Sequence, residues 1–238
     1  VNLIVEKPLE SLMTNIRGTE TVIEMAHKYD KRLLVMSTSE IYGKNTSDSL
    51  SEEDDRILGS PLKSRWSYSE AKAIDEILAY TYWREKGLET VIIRLFNTVG
   101  PRQTGSYGMV IPRFVGQALR NEPITVFGDG NQTRCFCHVG DVVEGLVALS
   151  EHPEAFGKVF NLGGGEEVSI RELAERVIEL AGSQSSLEFI PYDTAYEAGF
   201  EDMERRVPNT PRAMQLVGFE PSASLDDIIR SVIDDQQA

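Results

Sequence analysis

The sequence predicts an α/β fold with a parallel sheet at its centre. Two short apolar runs, residues 32–36 and 90–96, have the composition of strands that are buried on both faces. Between them, residues 68–86 carry apolar side chains at helical spacing, and Gly87 follows as a helix stop. Because a helix between two buried strands lets those strands lie in parallel, we expect a doubly wound sheet.

A helix is predicted to precede the first strand and to run to about residue 29. Its apolar positions are Leu9, Leu12, Met13, Ile16, Val22, Ile23 and Ala26. The first strand ends in Ser37-Thr38-Ser39-Glu40, at the edge where a doubly wound sheet places its chemistry. Residues 48–63 are acidic and contain a proline, which favours a loop.

After Pro101 the predicted elements become shorter. Helices are expected at residues 111–120, 142–150, 170–181 and 225–233, and strands at 124–127, 134–139, 159–162 and 187–190. Ser169 and Glu172 form a capping box for the third of these helices. We interpret residues 1–105 as the sheet domain and residues 106–238 mainly as a smaller α/β substrate-binding lobe, with 133–165 partly interleaved with the sheet.

The composition disfavours several partners. The formal net charge of −14 makes nucleic acid and anionic membrane surfaces poor partners. The sequence has no apolar run near the ~18 residues that span a membrane and no secretory signal pattern, so we expect a cytoplasmic protein. Cys135 and Cys137 make no disulfide framework, and with His138 they are too few for a closed zinc site, so no metal is expected.

Tyr68 and Lys72 stand four residues apart, so both project from one face of the long helix. At about 4 Å and an effective dielectric constant near 20, an ammonium attracts a phenolate by roughly 4 kcal/mol. That attraction is enough to bring the pKa of a phenol from about 10 toward neutrality. The pair therefore suits a general base for a sugar hydroxyl. The alternative is an aromatic side chain that packs under a solvated lysine.

Seven ordered motifs give the chain a resemblance to a known family. They are Asn15-x-x-Gly18-Thr19, Ser37-Thr38-Ser39-Glu40-Ile41-Tyr42-Gly43, Tyr68-x-x-x-Lys72, Arg94-x-Phe96-Asn97-x-x-Gly100-Pro101, Phe127-Gly128-Asp129-Gly130-x-Gln132-Thr133-Arg134, Asn161-x-Gly163 and Arg206-x-Pro208-Asn209. With them the chain resembles the extended short-chain dehydrogenase/reductases, which include the NAD-dependent nucleotide-sugar epimerases, dehydratases and decarboxylases. The resemblance implies NAD as cofactor and a nucleotide sugar, here a UDP-sugar, as substrate.

The family pattern begins earlier than this chain does, with further strands and a glycine-rich turn. The glycine cluster at residues 163–165 lies late in the sequence and is expected to be a plain strand-to-helix connection. We therefore expect a fragment: a Rossmann-like doubly wound sheet with its first half missing, in which residues 1–105 form the second half of the NAD-binding domain. Without the glycine-rich turn, NAD binding by this chain is in question.

The resemblance also implies roles for individual residues. Tyr68 would be the base that takes the proton from the sugar 4-hydroxyl, Lys72 would lower the Tyr68 pKa and hold the nicotinamide ribose, and Thr38 would hydrogen-bond the same hydroxyl. Ser37 and Phe96 would add cofactor contacts. The residues implied to bind the substrate are Thr38, Ser39, Asn97, Val110, Ile111, Phe127, Arg134 and Arg206.

Glu40 and Arg206 point to the sugar chemistry. Glu40 matches a glutamate of the decarboxylases and 4,6-dehydratases, and residues 199–208 look like a stretch of UDP-glucuronate decarboxylases. In those enzymes the arginine that matches Arg206 is assigned to the acid step or to gripping the carboxylate. We expect UDP-glucuronate decarboxylation, while 4-epimerisation of UDP-glucose or UDP-glucuronate, 4,6-dehydration and a catalytically silent binding fragment stay open.

The resemblance finally implies a homodimer, in which the helices near residues 9–29 and 68–86 pair across a two-fold axis in a four-helix contact. The residues expected there are Leu12, Ile16, Ile23, Ile77 and Tyr80. The same residues could instead face the chain's own sheet.

Overall fold

The computed structural model describes residues 7–105, 109–195 and 203–238, and it confirms the α/β fold. Its α-helices are α1 (Pro8–Lys28), α2 (Ser67–Lys86), α3 (Val110–Leu119), α4 (Val139–Glu151), α5 (Ile170–Leu180), α6 (Tyr192–Ala195), α7 (Pro211–Val217) and α8 (Leu225–Gln237). Its strands are β1 (Leu33–Thr38), β2 (Thr90–Leu95), β3 (Thr98–Val99), β4 (Ile124–Phe127), β5 (Thr133–Cys135), β6 (Cys137–His138), β7 (Lys158–Leu162), β8 (Glu167–Ser169), β9 (Leu187–Ile190) and β10 (Arg205–Arg206).

The main sheet is parallel, with the strand order β1-β2-β7. On one face, α1 and α2 cover it through a buried cluster of Ile23, Ala26, Val35, Ala79, Leu88 and Ile92. On the other face, α4 and α7 cover it through a cluster that includes Val91, Ile93, Val142, Leu149, Phe160 and Ala213. Helices on both faces of a parallel sheet make the arrangement doubly wound, as predicted.

Helix α2 ends where the sequence indicates. Gly87 adopts a left-handed conformation with φ of 70°, and its N–H donates to the Trp83 carbonyl at 3.0 Å. A glycine at this position terminates a helix without steric cost. At the other end of the helix, Tyr68 and Lys72 fall in the first turns, next to the carboxyl end of β1.

A second core lies away from the main sheet, among α3, α5, α8 and β4. Its largest buried side chains include Ile111, Phe114, Ile124, Leu173 and Ile229. The predicted capping box of α5 is confirmed, since the Ser169 hydroxyl accepts from the Glu172 N–H at 3.1 Å and the Glu172 carboxylate accepts from the Ser169 N–H at 3.0 Å.

The strand predicted over residues 134–139 is wrong in one respect, because it is broken at Phe136 into β5 and β6. β5 pairs with β8 and β10, whereas β6 pairs with β3. The break coincides with a close approach of the glycine turn, where a Cβ on Gly165 would lie 2.6 Å from the Phe136 carbonyl oxygen. The glycine cluster therefore leads into the short strand β8, and only then into α5.

No helix within the described ranges is long and apolar enough to cross a membrane.

Candidate active site

The carboxyl end of β1 opens into a cleft of about 580 Å³. The turn after β1, the start of α2, the loop after β2 and the N-terminal end of α3 surround it. Most of the predicted site residues line this cleft, namely Thr38, Ser39, Glu40, Tyr68, Phe96, Asn97, Val110, Ile111 and Arg206. A second depression, of about 690 Å³, borders Glu53, Lys158 and Arg212 and includes none of the predicted residues.

A tight turn aims the β1 residues at the cleft. Thr38 caps the short 3₁₀ helix Ser39–Tyr42, and its hydroxyl accepts from the Glu40 N–H at 3.2 Å. The turn closes at Gly43, which has a φ of 60° and where a Cβ would lie 2.3 Å from the Ile57 carbonyl oxygen. Glycine is needed there for both reasons, so this local sequence fixes where Thr38 and Glu40 point.

Glu40 is held between two arginines. Its Oε2 lies 2.6 Å from Nη1 of Arg65, and its Oε1 lies 3.8 Å from Nη1 of Arg206. Burial would raise the pKa of Glu40, but the opposing charges of Arg65 and Arg206 outweigh it, so the pKa is lowered. Glu40 is therefore a carboxylate at neutral pH and acts as a hydrogen-bond acceptor.

Arg206 joins the cleft from a distant part of the sequence. Its strand, β10, pairs in parallel with β5, which places Arg206 opposite Arg134 in the register. The guanidinium donates to Asn97 Oδ1 at 3.0 Å and to the Ser39 hydroxyl at 3.4 Å. These contacts leave Arg206 on the cleft wall, where its charge can meet an anionic group. Residues 199–202 of the decarboxylase-like stretch lie outside the described residues.

The predicted lowering of the Tyr68 pKa is wrong for this structure. Burial raises the pKa of Tyr68 to about 12, and the negative charges of Glu40 and Asp75 add to the rise. The predicted lowering requires the ammonium of Lys72 to face the phenol. Instead, Lys72 Nζ lies 3.2 Å from Oδ2 of Asp75, three residues further along α2. The ammonium of Lys72 thus pairs with the Asp75 carboxylate, for which no role was predicted.

Ser37 lies behind the cleft wall and is engaged in a buried network. Its hydroxyl donates to Glu76 Oε1 at 2.5 Å. Both oxygens of Glu76 accept from the guanidinium of Arg94, at 3.0 and 2.8 Å, and Arg94 also donates to the Tyr42 hydroxyl at 3.0 Å. Tyr42 in turn donates to Asn161 at 2.7 Å. This network ties β1, α2, β2 and β7 together directly under the site and keeps their ends in register.

Two residues implied to bind substrate do not line the cleft. Phe127 packs under the guanidinium of Arg113, 4.4 Å from its ring centroid. Arg134 is 7% exposed and donates to the carbonyls of Thr133 and Glu204, at 2.8 and 3.3 Å. In this structure both side chains pack outside the residues that line the cleft, so their assignment to substrate stays a prediction.

Other residues line the cleft or support it without having been predicted. Arg65, one helical turn before Tyr68, is 4% exposed and makes the shortest contact to Glu40. Asn15 of α1 and Gln103 of the loop after β3 also line the cleft or its entrance. Arg65 pairs with a residue 25 positions away, and Gln103 stands in no motif, so no local sequence pattern pointed to either.

The cysteines show no reactive or metal-binding character. Burial raises the pKa of Cys135 to about 11 and that of Cys137 to about 12, so neither is a thiolate at neutral pH. Among the residues that the structure describes, no group of His, Cys, Asp and Glu side chains is arranged to hold a metal ion.

The polar groups at the site suit the nicotinamide half of NAD. Tyr68 lines the cleft, and Lys72 borders a smaller cavity of about 170 Å³ along β1, together with Gly18 and Thr19. A hydroxyl and an ammonium on one helical face are the donors that a ribose diol requires. Phe96, which is 1% exposed, forms part of the wall. These residues fit the group, although the hydroxyl of Ser37 is already bound to Glu76.

Curated relatives of this chain include decarboxylases of UDP-sugars. The UDP-N-acetyl-alpha-D-glucosaminuronate decarboxylase of Bacillus cytotoxicus is 38% identical over 234 residues, which are 98% of this chain and 72% of that protein. UDP-glucuronic acid decarboxylase 1 of Arabidopsis thaliana is 38% identical over 231 residues, 96% of this chain. The chain spans 50% of the length of this second relative.

Solved structures and a family model agree with the fold. The UDP-glucuronic acid 4-epimerase of Bacillus cereus, in complex with UDP-glucuronic acid and NAD, superimposes with a TM-score of 0.83 and 28% identity. The match covers 94% of this chain and 68% of that one. The model of the NAD dependent epimerase/dehydratase family matches residues 1–163. Because this match covers more than half of the sequence, the chain belongs to the NAD-dependent epimerase/dehydratase family.

Proposed function

We propose that the chain is the catalytic part of an NAD-dependent UDP-glucuronate decarboxylase, which acts through a 4-keto intermediate. The observation that carries the proposal is that one cleft holds both Tyr68 and the Glu40–Arg206 pair. The first can start an oxidation at a sugar carbon, and the second can receive a carboxylate. The decarboxylases among the relatives support the same chemistry.

Oxidation begins with the loss of a proton from the sugar 4-hydroxyl. Tyr68 accepts this proton, and the Thr38 hydroxyl orients the sugar oxygen. NAD, when bound, would accept the hydride that leaves C4 as the 4-ketone forms and would add positive charge. Because burial, Glu40 and Asp75 raise the pKa of Tyr68 to about 12, the phenol would need nearby positive charge to act as a base near neutrality, and Lys72 is the cation that this chain offers on the same helical face.

Decarboxylation then follows from the position of the ketone. A 4-ketone makes the carboxylate on C5 part of a β-keto acid, in which the C5–C6 bond breaks, its electron pair enters the carbonyl and CO2 leaves. A proton returned to C5 completes the step. Arg206 holds the carboxylate before it leaves, and a guanidinium suits this role because it offers two parallel donors. Glu40, kept ionised by Arg65, fixes the orientation of Arg206.

The second candidate is 4-epimerisation of UDP-glucuronate. Its first step is the same, and it also needs a group that holds the carboxylate. The match to the UDP-glucuronic acid 4-epimerase of known structure supports this alternative. 4,6-Dehydration is the third candidate, and there the ionised Glu40 would take a proton from C5.

One assay separates these chemistries. The full-length protein is incubated with UDP-glucuronate and NAD, and the products are identified by chromatography and mass spectrometry. We expect CO2 and a UDP-pentose or its 4-keto form. Conversion to the 4-epimer with the carboxylate retained would replace decarboxylation by epimerisation. UDP-sugar binding without any conversion would identify a catalytically silent binding protein.

We also propose that α1 and α2 form a homodimer through a four-helix contact. Several large apolar side chains on these helices are exposed, namely Val22, Met25, Ile74, Ile77, Tyr80 and Trp83. Ile77 is 62% exposed, which is unusual for an isoleucine on a helix without a partner. Ile23 was expected either at this contact or against the chain's own sheet, and it is wholly buried in the chain's own core.

The dimer is tested by light scattering of the full-length protein. Ile77→Asp places a charge at the centre of the proposed contact and is expected to give monomers. Leu62→Asp alters a residue that is 93% exposed outside these helices and serves as the control. A monomeric wild-type protein would contradict the proposal. Cytoplasmic localisation stays a prediction.

A further inference from the structure

Asp75 is a buried carboxylate whose charge raises the pKa of Tyr68, the proposed base. Tyr68, Lys72 and Asp75 follow one another at spacings of four and three residues on α2, so they lie along one face of the helix. The Asp75 side chain is 0% exposed, and that of Lys72 is 15% exposed. Complete burial of a charged carboxylate is unfavourable unless hydrogen bonds and opposite charges compensate for the loss of water.

The contacts of Asp75 compensate for its desolvation only in part. Oδ2 lies 3.2 Å from Lys72 Nζ, and the hydroxyl of Thr19 on α1 also favours the charged form. Oδ1 has no hydrogen-bond partner among the described residues. Helix stability does not explain the arrangement, since an ion pair between residues three apart is worth only about 0.2–0.5 kcal/mol on an isolated helix.

The other charged groups around the phenol leave Lys72 as its nearest source of positive charge on α2. Glu40, from the turn after β1, faces Tyr68 but is bound to Arg65 and Arg206. Glu76, the next residue after Asp75, is bound to Arg94 on β2. Arg65 and Arg94 thus each pair with a carboxylate, and Arg206 contacts Glu40, Asn97 and Ser39. How strongly Lys72 can help the phenol therefore depends on its contact with Asp75.

We propose that Asp75 is a positioning residue that holds the Lys72 ammonium and thereby restrains the Tyr68 phenol from acting as a base until Lys72 is drawn away. The inference rests on the roles proposed above for Tyr68 and Lys72. A ribose diol is the kind of group that can draw the ammonium away, because its two oxygens accept hydrogen bonds from it. The rise that Asp75 causes in the pKa of Tyr68 agrees with this restraint.

The test is the titration of the Tyr68 phenol by NMR of ring-labelled tyrosine in the full-length protein. The chain has 8 tyrosines, so the spectrum of Tyr68→Phe identifies the signal. Asp75→Asn keeps the shape of the side chain and removes its charge. We expect the Tyr68 titration to move down by about one pH unit, as removal of a nearby like charge does. Asp75→Ala should give the same shift and serves if the buried amide prevents folding.

Glu70→Gln is the matched control. It removes one carboxylate from the same helix, two residues from Tyr68, but Glu70 pairs with Arg56 and is 47% exposed. It should leave the titration of Tyr68 unchanged. In steady-state assays, the acidic limb of kcat/KM should move to lower pH in Asp75→Asn and stay in place in Glu70→Gln. A folded Asp75→Asn or Asp75→Ala protein whose Tyr68 titrates as in the wild type would overturn the inference, whatever the protein's substrate proves to be.

Discussion

The two carboxylates whose charge acts on Tyr68 are held in opposite ways. Glu40, from the turn after β1, lies between Arg65 and Arg206, and its pKa is lowered. Asp75, on α2, pairs with Lys72, and its pKa is raised, first of all by burial. Both side chains are largely or wholly buried, so burial alone does not separate them.

The pKa shifts of Glu40 and Asp75 differ in direction because different amounts of positive charge lie near the two carboxylates. Two arginines, one of them at 2.6 Å, outweigh the desolvation of Glu40, whereas a single ammonium at 3.2 Å does not outweigh that of Asp75. Glu40 is thus a fixed negative charge that orients Arg206. Asp75 is a buried carboxylate whose raised pKa is only partly offset by its contact with Lys72.

The largest expected effect comes from removing the phenol between the two carboxylates. Tyr68→Phe should lower turnover of a UDP-sugar by about 10³-fold, since a positioned acid–base group typically contributes 10²–10⁴-fold. Binding of the UDP-sugar, measured by calorimetry, should change little. Tyr80→Phe alters an exposed tyrosine of the same helix and is the control. Unchanged turnover in Tyr68→Phe would remove the proposed base.

The next effect is on stability at the Glu40 side. Arg65→Met leaves Glu40 buried without its nearest cation, which should lower the free energy of unfolding by about 3 kcal/mol. Arg32→Met is a matched control, because Arg32 also lies 2.6 Å from a carboxylate, that of Glu89, but both groups are about half exposed. That change should cost less than about 1 kcal/mol. Urea unfolding that gives equal losses for the two variants would contradict the account of Glu40.

A smaller effect is expected on substrate affinity. Arg206→Gln should weaken UDP-glucuronate binding by roughly 10–100-fold, because hydrogen bonds to charged groups are worth about 1.5–3 kcal/mol. Binding of UDP-glucose, which has no carboxylate, should change far less. Arg205→Gln is the control, since Arg205 pairs with Glu167 outside the cleft. An equal loss of affinity for UDP-glucuronate and UDP-glucose would show that Arg206 does not bind the carboxylate.

The smallest effect is a difference in how stability depends on pH. Glu40 has a lowered pKa in the folded state, so its contribution is complete above the unfolded value of about 4.3 and is lost as the pH falls through the folded pKa. Asp75 has a raised pKa, so the folded state gains stability as the pH falls through that folded pKa toward about 3.9.

The two pH dependences are measured as the free energy of unfolding in urea at several acidic pH values. As the pH falls, the wild type should lose stability relative to Glu40→Gln and gain stability relative to Asp75→Asn. The size is on the order of 1.4 kcal/mol for each unit by which a pKa is shifted. If the stability of the wild type relative to each variant changed in the same direction as the pH falls, the two carboxylates would not be held in opposite ways.

The sequence predicted the fold and most of the cleft because both depend on local patterns. Apolar runs at residues 32–36 and 90–96 mark β1 and β2, and the motif after β1 marks Thr38 and Glu40. The pairing of Tyr68 with Lys72 was a local inference as well, and helical geometry does place them on one face. The pattern could not show whether the ammonium of Lys72 would lie near Tyr68 or pair with Asp75.

That choice depends on burial and on contacts between distant segments. Asp75 is three residues from Lys72, but only its burial against α1 makes the contact decisive. Arg65 was overlooked because its partner, Glu40, lies 25 residues away in the sequence. Phe127 and Arg134 belong to matching motifs, yet their side chains pack within the second lobe. Motif matching gives the position of a residue and leaves the direction of its side chain open.

The most direct test of the central claim is the ionisation of Tyr68 in the full-length protein with and without NAD. The signal of ring-labelled Tyr68, assigned with Tyr68→Phe, is followed as the pH is raised. The account predicts titration near pH 12 without NAD, and a midpoint at least about two units lower once NAD adds positive charge to the site. A phenol that still titrates near pH 12 with NAD bound would show that Tyr68 is not the base.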